Sequence, residues 1–339
     1  MSREVSHCAL YADMGTTTTR VWLVDGEDVM ARSQAPVGVR DTAREGSPQQ
    51  LKAALARMIS DVGDQAARLS KGTPSHLVAA GMITSPLGLL EVPHVEAPAG
   101  IIELAAAAQN CSLPDVTDLP ILLIPGVRCG PVRCDISSVG MADVIRGEET
   151  LCVGLVKLGL LPPESTLLNL GSHWKAIRLA ADGRILSSIT SISGELIHAA
   201  QTQTILASSV SRERPGAIDE AWMEAGMKEQ RQSGLPRALF CVRLLEQRSD
   251  GNPEQRLAFL IGAFIAADLD ALMTRNMLSD KSGVVIAGPE SLASAWQHAL
   301  ARVRISAVTL SEAQLERAFL EGLRSIWMLY KAGSGLTGL

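Results

Sequence analysis

Apolar and polar residues alternate in blocks along the chain, and the same order of blocks occurs twice. Short apolar runs flank polar, glycine-containing turns, which is typical of strand hairpins. The predicted strands are 8–12, 20–24 and 29–33 in the first half, and 166–170, 174–180 and 185–190 in the second. The turn glycines Gly15 and Gly171 are 156 positions apart (171 minus 15). The pattern predicts an internal duplication, with chance similarity as the alternative.

A second feature repeats in the same order. The apolar runs 76–80 and 283–287 are each followed by glycine and then by a helix-like segment. Hairpins followed by helices and a further strand favour an α/β chain with two related lobes that face each other across a cleft. The predicted domains are 1–158 and 159–339. The last helix, at about 311–330, is expected in the second domain, with packing back toward the first as the alternative.

Helical periodicity fills the segments between these strands. Helices are predicted at about 48–70, 101–111, 143–158, 254–277, 291–302 and 311–330. The longest apolar runs, such as 259–267, have the length of a buried helix rather than of a membrane span. The first residues carry charges and no signal-peptide core, and the six cysteines are scattered. We therefore expect a cytoplasmic protein with reduced thiols and no membrane association.

The charge balance narrows the class of partner. Lys and Arg number 31 against 36 Asp and Glu, so the net charge is -5 and no basic field for nucleic acid exists. Glycine is abundant, with 29 residues, whereas aromatic residues are only 3%. This composition predicts many tight turns and an aliphatic core. A small molecule suits such a chain better than nucleic acid does, and both a monomer and a homodimer fit the sequence.

The duplicated turns point to phosphate chemistry. In the Asp-x-Gly-Thr-Thr segment that starts at Asp13, glycine lets the backbone approach a phosphate, while the aspartate can hold a hydrated divalent metal ion. The second turn offers Gly171 and Ser172. The sequence contains no Gly-Lys pair, which excludes a P-loop. An Asx turn is the structural alternative for Asp13.

Two adjacent carboxylates are candidates for a general base. Glu148 and Glu149 lie near the start of the helix that leads toward the second hairpin, and therefore beside the predicted cleft. Phosphoryl transfer needs one carboxylate to take the acceptor's hydroxyl proton. The structural alternative is a favourable interaction with the helix dipole.

Further segments carry a family resemblance. The most discriminating are the Arg-Gly-Glu-Glu-Thr segment 146–150 and the Ser-Gly-Glu-Leu segment 193–196. The other matching segments begin, in chain order, at Asp13, Ala80, Pro93, Ile124, Gly171, Ile261, Ala287 and Gly322. Together they resemble the 2-dehydro-3-deoxygalactonokinase family of the actin-like and sugar-kinase superfamily. The resemblance implies two duplicated actin-like (ribonuclease H-like) lobes with a nucleotide cleft, and transfer of phosphate from ATP, with Mg²⁺, to the 6-hydroxyl of 2-dehydro-3-deoxy-D-galactonate.

The resemblance also implies roles for individual residues. These are Asp13 for the metal ion, Gly15, Thr16 and Thr17 for the first phosphate loop, Gly171, Ser172 and His173 for the second, Gly288 for the adenosine turn, and Gly81 and Met82 for the substrate side. Glu149 falls where sugar kinases place the base, with Glu148 as the alternative. A cation must meet the substrate carboxylate, and the candidates are Lys175, Arg146 and Arg40, in that order.

Three positions depart from the family pattern. Met14 stands where an aromatic residue is usual, and Trp174 is one position away from the usual tryptophan, on the opposite face of a strand. Asn169 cannot supply the negative charge that some superfamily members use on the metal ion. Two alternatives to a kinase therefore stay open: a protein of the same fold that binds ATP or a sugar acid without turnover, and a phosphoanhydride hydrolase in which Glu149 activates water.

Overall fold

The chain divides into two compact units. The computed structural model describes residues 8–68, 73–278 and 283–334. Within these, the first unit comprises 8–159, 184–186 and 316–334, and the second comprises the rest. The expectation about a signal peptide rests on residues 1–7 and lies outside the described residues.

The first unit is built on two sheets. Its elements are β1 (Cys8–Met14), β2 (Thr19–Asp25), β3 (Asp28–Ala35), α1 (Val39–Glu45), α2 (Gln49–Arg68), β4 (Leu77–Gly81), β5 (Val95–Glu96), α3 (Ile101–Ala107), β6 (Gln109–Leu113), β7 (Thr117–Leu123), β8 (Val127–Cys129), β9 (Asp143–Ile145) and α4 (Glu148–Lys157). The larger sheet has the order β3-β2-β1-β4-β7-β6 and the smaller one β5-β8-β9. Strands β1 and β4 are apolar and buried along almost their whole length, as is usual for strands covered on both faces.

The second unit is built on one sheet. Its elements are β10 (Thr166–Leu170), β11 (Trp174–Leu179), β12 (Ile185–Ser191, which belongs to this unit from Ser187 on), α5 (Ser193–Gln203), α6 (Glu220–Ser233), α7 (Leu235–Gln247), α8 (Pro253–Thr274), β13 (Val284–Ala287), α9 (Glu290–Arg302) and β14 (Ala307–Thr309). The strand order is β12-β11-β10-β13-β14. Trp174 of β11 and Trp296 of α9 are the bulkiest side chains of its core.

The two sheets repeat one topology, which confirms the predicted duplication. In the first unit β1 is antiparallel to β2 and parallel to β4, and in the second β10 is antiparallel to β11 and parallel to β13. The registers match as well, because Asp13 pairs with Ala80 and Asn169 with Ala287. Each repeated turn therefore follows the same strand position in its own sheet.

Helix α8 contains the longest apolar stretch among the described residues. It is long and apolar enough to cross a membrane by length and composition, and 67% of its most apolar window is buried inside the protein. Its side chains from Leu257 to Ala266 lie in the core of the second unit. This is the packing of a core helix, as the run 259–267 predicted.

Helices α6 and α8 cross at two glycines. A Cβ on Gly226 would lie 1.9 Å from the Phe259 carbonyl oxygen, and one on Gly262 would lie 2.0 Å from that of Met223. No side chain fits at either position because each faces the backbone of the other helix.

The first unit has an equivalent crossing between α4 and a helix from much later in the chain. This is α10 (Glu312–Gly333), which belongs to the first unit from Glu316 on. A Cβ on Gly154 would lie 1.6 Å from the Ala318 carbonyl oxygen, and one on Gly322 would lie 2.0 Å from that of Thr150. The predicted domains differ from the units of the structure at this helix, because these contacts hold α10 on α4.

Two predicted helices are wrong in part. The helix predicted at 101–111 ends at Ala107, and β6 follows as the edge strand beside β7. The helix predicted at 143–158 begins only at Glu148, because 143–145 pair with β8 as β9. Between them Gly147 has a φ of +100°, which a helix interior does not allow.

Candidate active site

The first predicted phosphate loop, residues 15–18 and called loop 1 below, is a tight turn. The Gly15 N–H donates to the Thr18 carbonyl at 2.8 Å. The loop rests on the start of α1, where the Arg40 N–H donates to the Thr16 carbonyl at 3.0 Å. A Cβ on Gly38 would lie 2.4 Å from that same carbonyl, so only glycine allows the close approach. The side chains of Thr16 and Thr17 stay partly exposed beside this fixed backbone.

Asp13 lies just before loop 1, near the end of β1. Its Oδ2 forms an ion pair with Nη1 of Arg20, its cross-strand partner, at 3.1 Å, and 22% of the aspartate side chain is exposed. Burial raises the pKa of Asp13 to about 6, although Arg20 opposes the rise, and the negative charge of Glu148 adds to it. Asp13 and Glu148 are therefore close enough to interact, and a cation between them would relieve their repulsion.

Two glycines bring the start of α4 to the end of β4. Gly81 has a φ of +87°, and a Cβ there would lie 2.5 Å from the Met14 carbonyl oxygen. A Cβ on Gly147 would lie 3.3 Å from the Cα atom of Gly81. Since Met14 follows Asp13 directly, this packing sets the carboxylates of α4 beside the first loop.

The two carboxylates of α4 have different surroundings. Glu149 is fully buried, and its two oxygens accept the Gly147 N–H at 2.9 and 2.8 Å, with Thr150 Oγ1 donating at 3.2 Å. Burial raises the pKa of Glu149 to about 8, and the charge of Glu148 adds to the rise. Glu148 is only partly buried, and its Oε2 accepts the Arg146 N–H at 3.1 Å. Glu148 is thus the more accessible carboxylate.

The Arg146 side chain is half-buried under the segment that follows β4. Its guanidinium donates to Thr84 Oγ1 at 2.6 Å, to the Val92 carbonyl at 2.9 Å and to His94 Nδ1 at 3.4 Å. Gly126 leaves the room for this arrangement, since a Cβ there would lie 2.6 Å from Arg146 Cγ and 2.9 Å from the His94 ring. This close packing explains the glycine of the Ile-Pro-Gly segment 124–126.

The second predicted phosphate loop, residues 171–173 and called loop 2 below, is held in the same way. It rests on the start of α5, where the Glu195 N–H donates to the Ser172 carbonyl at 2.8 Å. A Cβ on Gly194 would lie 2.4 Å from the Gly171 carbonyl oxygen. Gly171 and Ser172 are exposed, and His173 Nε2 lies 3.1 Å from Glu195 Oε2. Loop 2 therefore offers a ligand the backbone of Gly171, the hydroxyl of Ser172 and the imidazole of His173.

The strand residues beside loop 2 differ from those beside loop 1. Asn169 pairs across the strands with Lys175, in the positions that Asp13 and Arg20 occupy in the first unit. Trp174 faces the core, 2% exposed and edge-to-face with Trp296 at a centroid distance of 5.6 Å. Trp174 is a packing residue here.

Gly288 ends β13 in the way that Gly81 ends β4. A Cβ on Gly288 would lie 2.7 Å from Leu170 Cβ and 3.1 Å from its carbonyl oxygen, and the φ of +150° favours glycine. Leu170 and Met14 are 156 positions apart, as are the two loop glycines. The predicted adenosine turn is therefore a close backbone contact at the end of β10.

The structure brings together some predicted residues within each unit. In the first unit Asp13, Gly81, Glu148, Glu149 and Arg146 form one cluster beside loop 1. Two predicted residues lie at its edge: Met82 is partly buried in the short helical turn after β4, and the Arg40 side chain is exposed on α1. In the second unit loop 2, Lys175 and Gly288 surround the end of β10.

Sequence reasoning assigned no role to several contributors to these clusters, although three of them lie in segments that carry the family resemblance. They are Gly38, Gly194, Thr84, His94, Gly126 and Asp268. A signal existed for two of them, since Gly38 and Gly194 are also 156 positions apart. The others interact with residues distant in sequence, and local patterns do not identify such contacts.

A magnesium ion fits the first cluster by the chemistry of its donors. In the parts of the chain that the structure describes, no three His, Cys, Asp or Glu side chains converge on a common point. Mg²⁺ in phosphoryl-transfer sites needs only one or two carboxylates, with phosphate and water oxygens as the other ligands. Asp13, with Glu148 close enough to raise its pKa, supplies such a donor set.

Comparison with known families gives one match along most of the chain. The model of the family described as 2-keto-3-deoxy-galactonokinase matches residues 13–326. The 2-dehydro-3-deoxygalactonokinase of Escherichia coli K12 is 27% identical over 317 residues, which cover 93% of this chain and 95% of that protein. DgoK1 of Rhizobium meliloti strain 1021 is 27% identical over 325 residues, 94% of this chain and 97% of the relative.

Solved structures agree on the fold. A Sinorhizobium meliloti structure, described as a candidate 2-dehydro-3-deoxygalactonokinase, has a TM-score of 0.73 and 24% identity, and covers 98% of this chain and 100% of that one. The activator of 2-hydroxyisocaproyl-CoA dehydratase from Clostridium difficile, with bound ADPNP, has a TM-score of 0.51 and 13% identity, with 98% and 99% covered. The fold is the duplicated α/β fold of actin-like ATPases and sugar kinases, as predicted.

Proposed function

The chain belongs to the 2-keto-3-deoxy-galactonokinase family, and from this premise we propose that it transfers the γ-phosphoryl group of ATP to the 6-hydroxyl of 2-dehydro-3-deoxy-D-galactonate. The family match over residues 13–326 carries the proposal, because it includes both loops and the start of α4. The proposal places the enzyme in the cytoplasm, where all six cysteines stay as free thiols.

Glu148 is the proposed general base. A base must come within hydrogen-bond distance of the hydroxyl from which it takes the proton. Glu149 is fully buried and both its oxygens are directed at the Gly147 N–H, whereas Glu148 is partly exposed and interacts with Asp13. With a pKa of about 8, Glu149 is mostly protonated at neutral pH and is a poor proton acceptor there. Its proposed role is to fix Gly147 and thereby the position of Glu148.

The loops divide the remaining work in this proposal. Asp13, aided by Glu148, holds Mg²⁺, which when bound neutralises charge on the transferred phosphate. The backbone N–H groups and hydroxyls of loop 1 and loop 2 bind phosphate oxygens, and Gly288 lets the adenosine approach the end of β10. Thr16 and Ser172 are the equivalent hydroxyls in the two loops.

A substrate panel tests the function. Purified protein with Mg²⁺ and ATP is assayed for ADP release with 2-dehydro-3-deoxy-D-galactonate, with its epimer at carbon 4 and with no acceptor. We expect release that depends on the galactonate derivative. Equal phosphate release without acceptor would identify a hydrolase instead, and ATP binding by calorimetry without turnover would identify a non-catalytic nucleotide-binding protein.

A matched pair of variants tests the base. Glu148→Gln should lower kcat by about 10²–10⁴-fold, the usual contribution of general-base catalysis. Glu149→Gln should keep most of the activity at pH 7, because it replaces a neutral carboxyl with a neutral amide of the same shape. The reverse result, with Glu149→Gln inactive and Glu148→Gln active, would move the base to Glu149.

A further inference from the structure

Arg146 is a half-buried cation that forms no ion pair with the residues the structure describes. Its three hydrogen-bond partners, Thr84 Oγ1, the Val92 carbonyl and His94 Nδ1, are all uncharged at neutral pH, since burial and the cations of Arg146 and Arg128 lower the pKa of His94 to about 4. Among residues 8–68, 73–278 and 283–334, no carboxylate lies within ion-pair distance of its guanidinium. Burial accordingly lowers the pKa of Arg146.

Nearby acidic residues do not supply the missing charge. Glu149 and Glu91 are the two carboxyl groups whose charge affects Arg146. Both oxygens of Glu149 are directed at the Gly147 N–H, and within the described residues neither Glu149 nor the exposed Glu91 forms an ion pair with Arg146. A buried cation is normally paired, since removing it from water without a counter-ion is costly. The surroundings of Arg146 therefore favour an anionic ligand.

The neighbouring groups are arranged to orient the guanidinium. Arg146 donates to His94 Nδ1, so the proton of the neutral ring is on Nε2, and Nε2 is buried without a partner in the described structure. Thr84 Oγ1 accepts from Arg146 and donates to the Gly81 carbonyl at 3.1 Å. Three of the five guanidinium hydrogens are used in these contacts, which leaves two for a ligand.

The position of Arg146 suits the substrate of the proposed reaction. Its own N–H binds Glu148 Oε2, so the cation and the proposed base are two residues apart on one fixed segment. The other candidate cations are placed differently: Lys175 pairs across the strands with Asn169 beside loop 2, and the Arg40 side chain is exposed on α1.

We propose that Arg146, held by Thr84 and His94, binds the carboxylate of the sugar-acid substrate. The inference rests on the proposed function, and it assigns Arg146 to substrate binding and Thr84 and His94 to positioning. The carboxylate would be the counter-ion that the described part of the chain does not provide. It would also explain why Gly126 leaves room beside Arg146 and His94.

Arg146→Gln, assayed against the sugar acid and its uncharged carboxamide, tests this assignment. The variant should raise KM for the acid by about 100-fold, because it removes a buried charge-assisted pair. KM for the carboxamide should change less than about threefold, since that contact is a neutral hydrogen bond in both proteins. Arg128→Gln is the matched control, because Arg128 is an exposed arginine ion-paired with Glu96 near the same histidine, and its KM values should equal those of the parent.

His94 variants test the positioning role. His94→Ala should raise KM for the acid by about tenfold by removing the acceptor that orients Arg146, whereas His94→Asn should recover part of this, since its amide oxygen can replace Nδ1. The KM for ATP should stay unchanged in both variants.

Several results would overturn the inference. Equal losses for the acid and the carboxamide would make Arg146 only a support of the segment 82–94, and an effect of Arg128→Gln as large as that of Arg146→Gln would make the effect non-specific. If Arg146→Gln does not fold, Arg146→Lys replaces it, because lysine keeps the charge and lacks the two parallel hydrogen bonds of the guanidinium. This variant must still bind the acid more tightly than the carboxamide. If the parent transfers phosphate to no sugar acid, the proposed function fails, and calorimetric binding of the acid to parent and variant still tests the carboxylate site.

Discussion

Loop 1 and loop 2 share a backbone arrangement and differ in charge. Each follows the central strand of its sheet, and each rests on a glycine at the start of the next helix, Gly38 or Gly194. Beside loop 1 the cross-strand pair is Asp13 with Arg20, and beside loop 2 it is Asn169 with Lys175. The two halves thus share the contacts that fix the backbone, whereas the side chain at the strand end is a carboxylate in the first and an amide in the second.

The difference indicates which unit performs which part of the proposed chemistry. A carboxylate with a raised pKa next to a second carboxylate is suited to a metal ion, whereas an amide beside a lysine is suited to phosphate oxygens. The first unit therefore has the groups for metal binding and proton transfer. The second has groups for neutral and cationic contacts to the nucleotide.

Replacing Asp13 and Asn169, the strand-end residues beside the two loops, should give the largest difference in activity between the two units. Asp13→Asn should lower kcat by about 10³-fold, because it removes the metal-binding charge. Asn169→Ala removes a neutral hydrogen-bonding group and should cost about tenfold or less. Steady-state kinetics with saturating sugar acid measures both. Equal losses at the two positions would mean that both loops share the metal ion.

Exchanging the supporting glycines tests whether the loops need the same backbone contact. Gly38→Ala and Gly194→Ala should each lower kcat/KM by about 10²-fold, because a Cβ at 2.4 Å from a loop carbonyl must displace the loop. Gly38→Ala should act mainly on kcat and Gly194→Ala mainly on KM for ATP. Gly63→Ala and Gly216→Ala are controls, since a Cβ at either would meet nothing within 4 Å. Parent-like kinetics in both test variants would contradict the packing argument.

The pH dependence of activity should reveal Asp13, the carboxylate beside loop 1. With a pKa of about 6, Asp13 is protonated at low pH, so kcat/KM for ATP should fall about tenfold per pH unit below pH 6. Arg20→Gln should shift this fall to higher pH, because Arg20 lowers the pKa of Asp13, whereas Lys175→Gln should leave the midpoint unchanged. If Arg20→Gln leaves the midpoint of the pH dependence unchanged, protonation of Asp13 is not the cause of the fall in kcat/KM.

The Asp13 carboxyl group should lower the stability of the fold as the pH rises, whereas it should increase activity. The pKa of Asp13 rises on folding from 3.8 to about 6, so the folded state binds more protons than the unfolded state between these values. The free energy of unfolding should therefore drop by about 2 kcal/mol between pH 4 and pH 7 through this group. In Asp13→Asn that part of the pH dependence, measured by urea unfolding, should disappear.

A polar contact present only in the second unit should have the smallest effect. Asp268 of α8 accepts from Ser191 Oγ at 2.5 Å, and Ser191 lies 3.0 Å from Ser193 at the start of α5. The corresponding positions of the first unit, Ala35 and Val37, are apolar. Asp268→Asn should raise KM for ATP about threefold by loosening α5 under loop 2, with KM for the sugar acid unchanged. A change only in KM for the sugar acid would mean that the Asp268 contact supports sugar-acid binding rather than ATP binding.

The duplicated strands were predictable because their signal is local. A short, mostly apolar run before a glycine turn identifies β1 and β10 without knowledge of any partner, and the offset of 156 identifies them as equivalent. The helix predicted at 143–158 is wrong in its first residues because local signals were the only ones used. Nothing within that segment shows that 143–145 pair with β8, or that Gly147 has a positive φ.

The candidate site was predictable in its residue types and not in its contacts. Asp13 and the two glutamates follow from motif and position, but accessibility distinguishes Glu148 from Glu149, and accessibility depends on the whole unit. The partners of Arg146 are 52 to 62 positions away in sequence. Trp174 illustrates the same limit, because its face toward the core depends on Trp296.

The glycine crossing of α4 and α10 bears on how the protein is made. The support of α4 at Gly154 and Gly322 is translated only after the whole of the second unit. At ribosomal speeds the interval is roughly 10–30 s. The second unit can fold on the ribosome while the first still lacks its last helix. A nascent chain stalled before α10 would contain loop 2 and an α4 that still lacks its contacts at Thr150 and Gly154, so α4 gains this packing last.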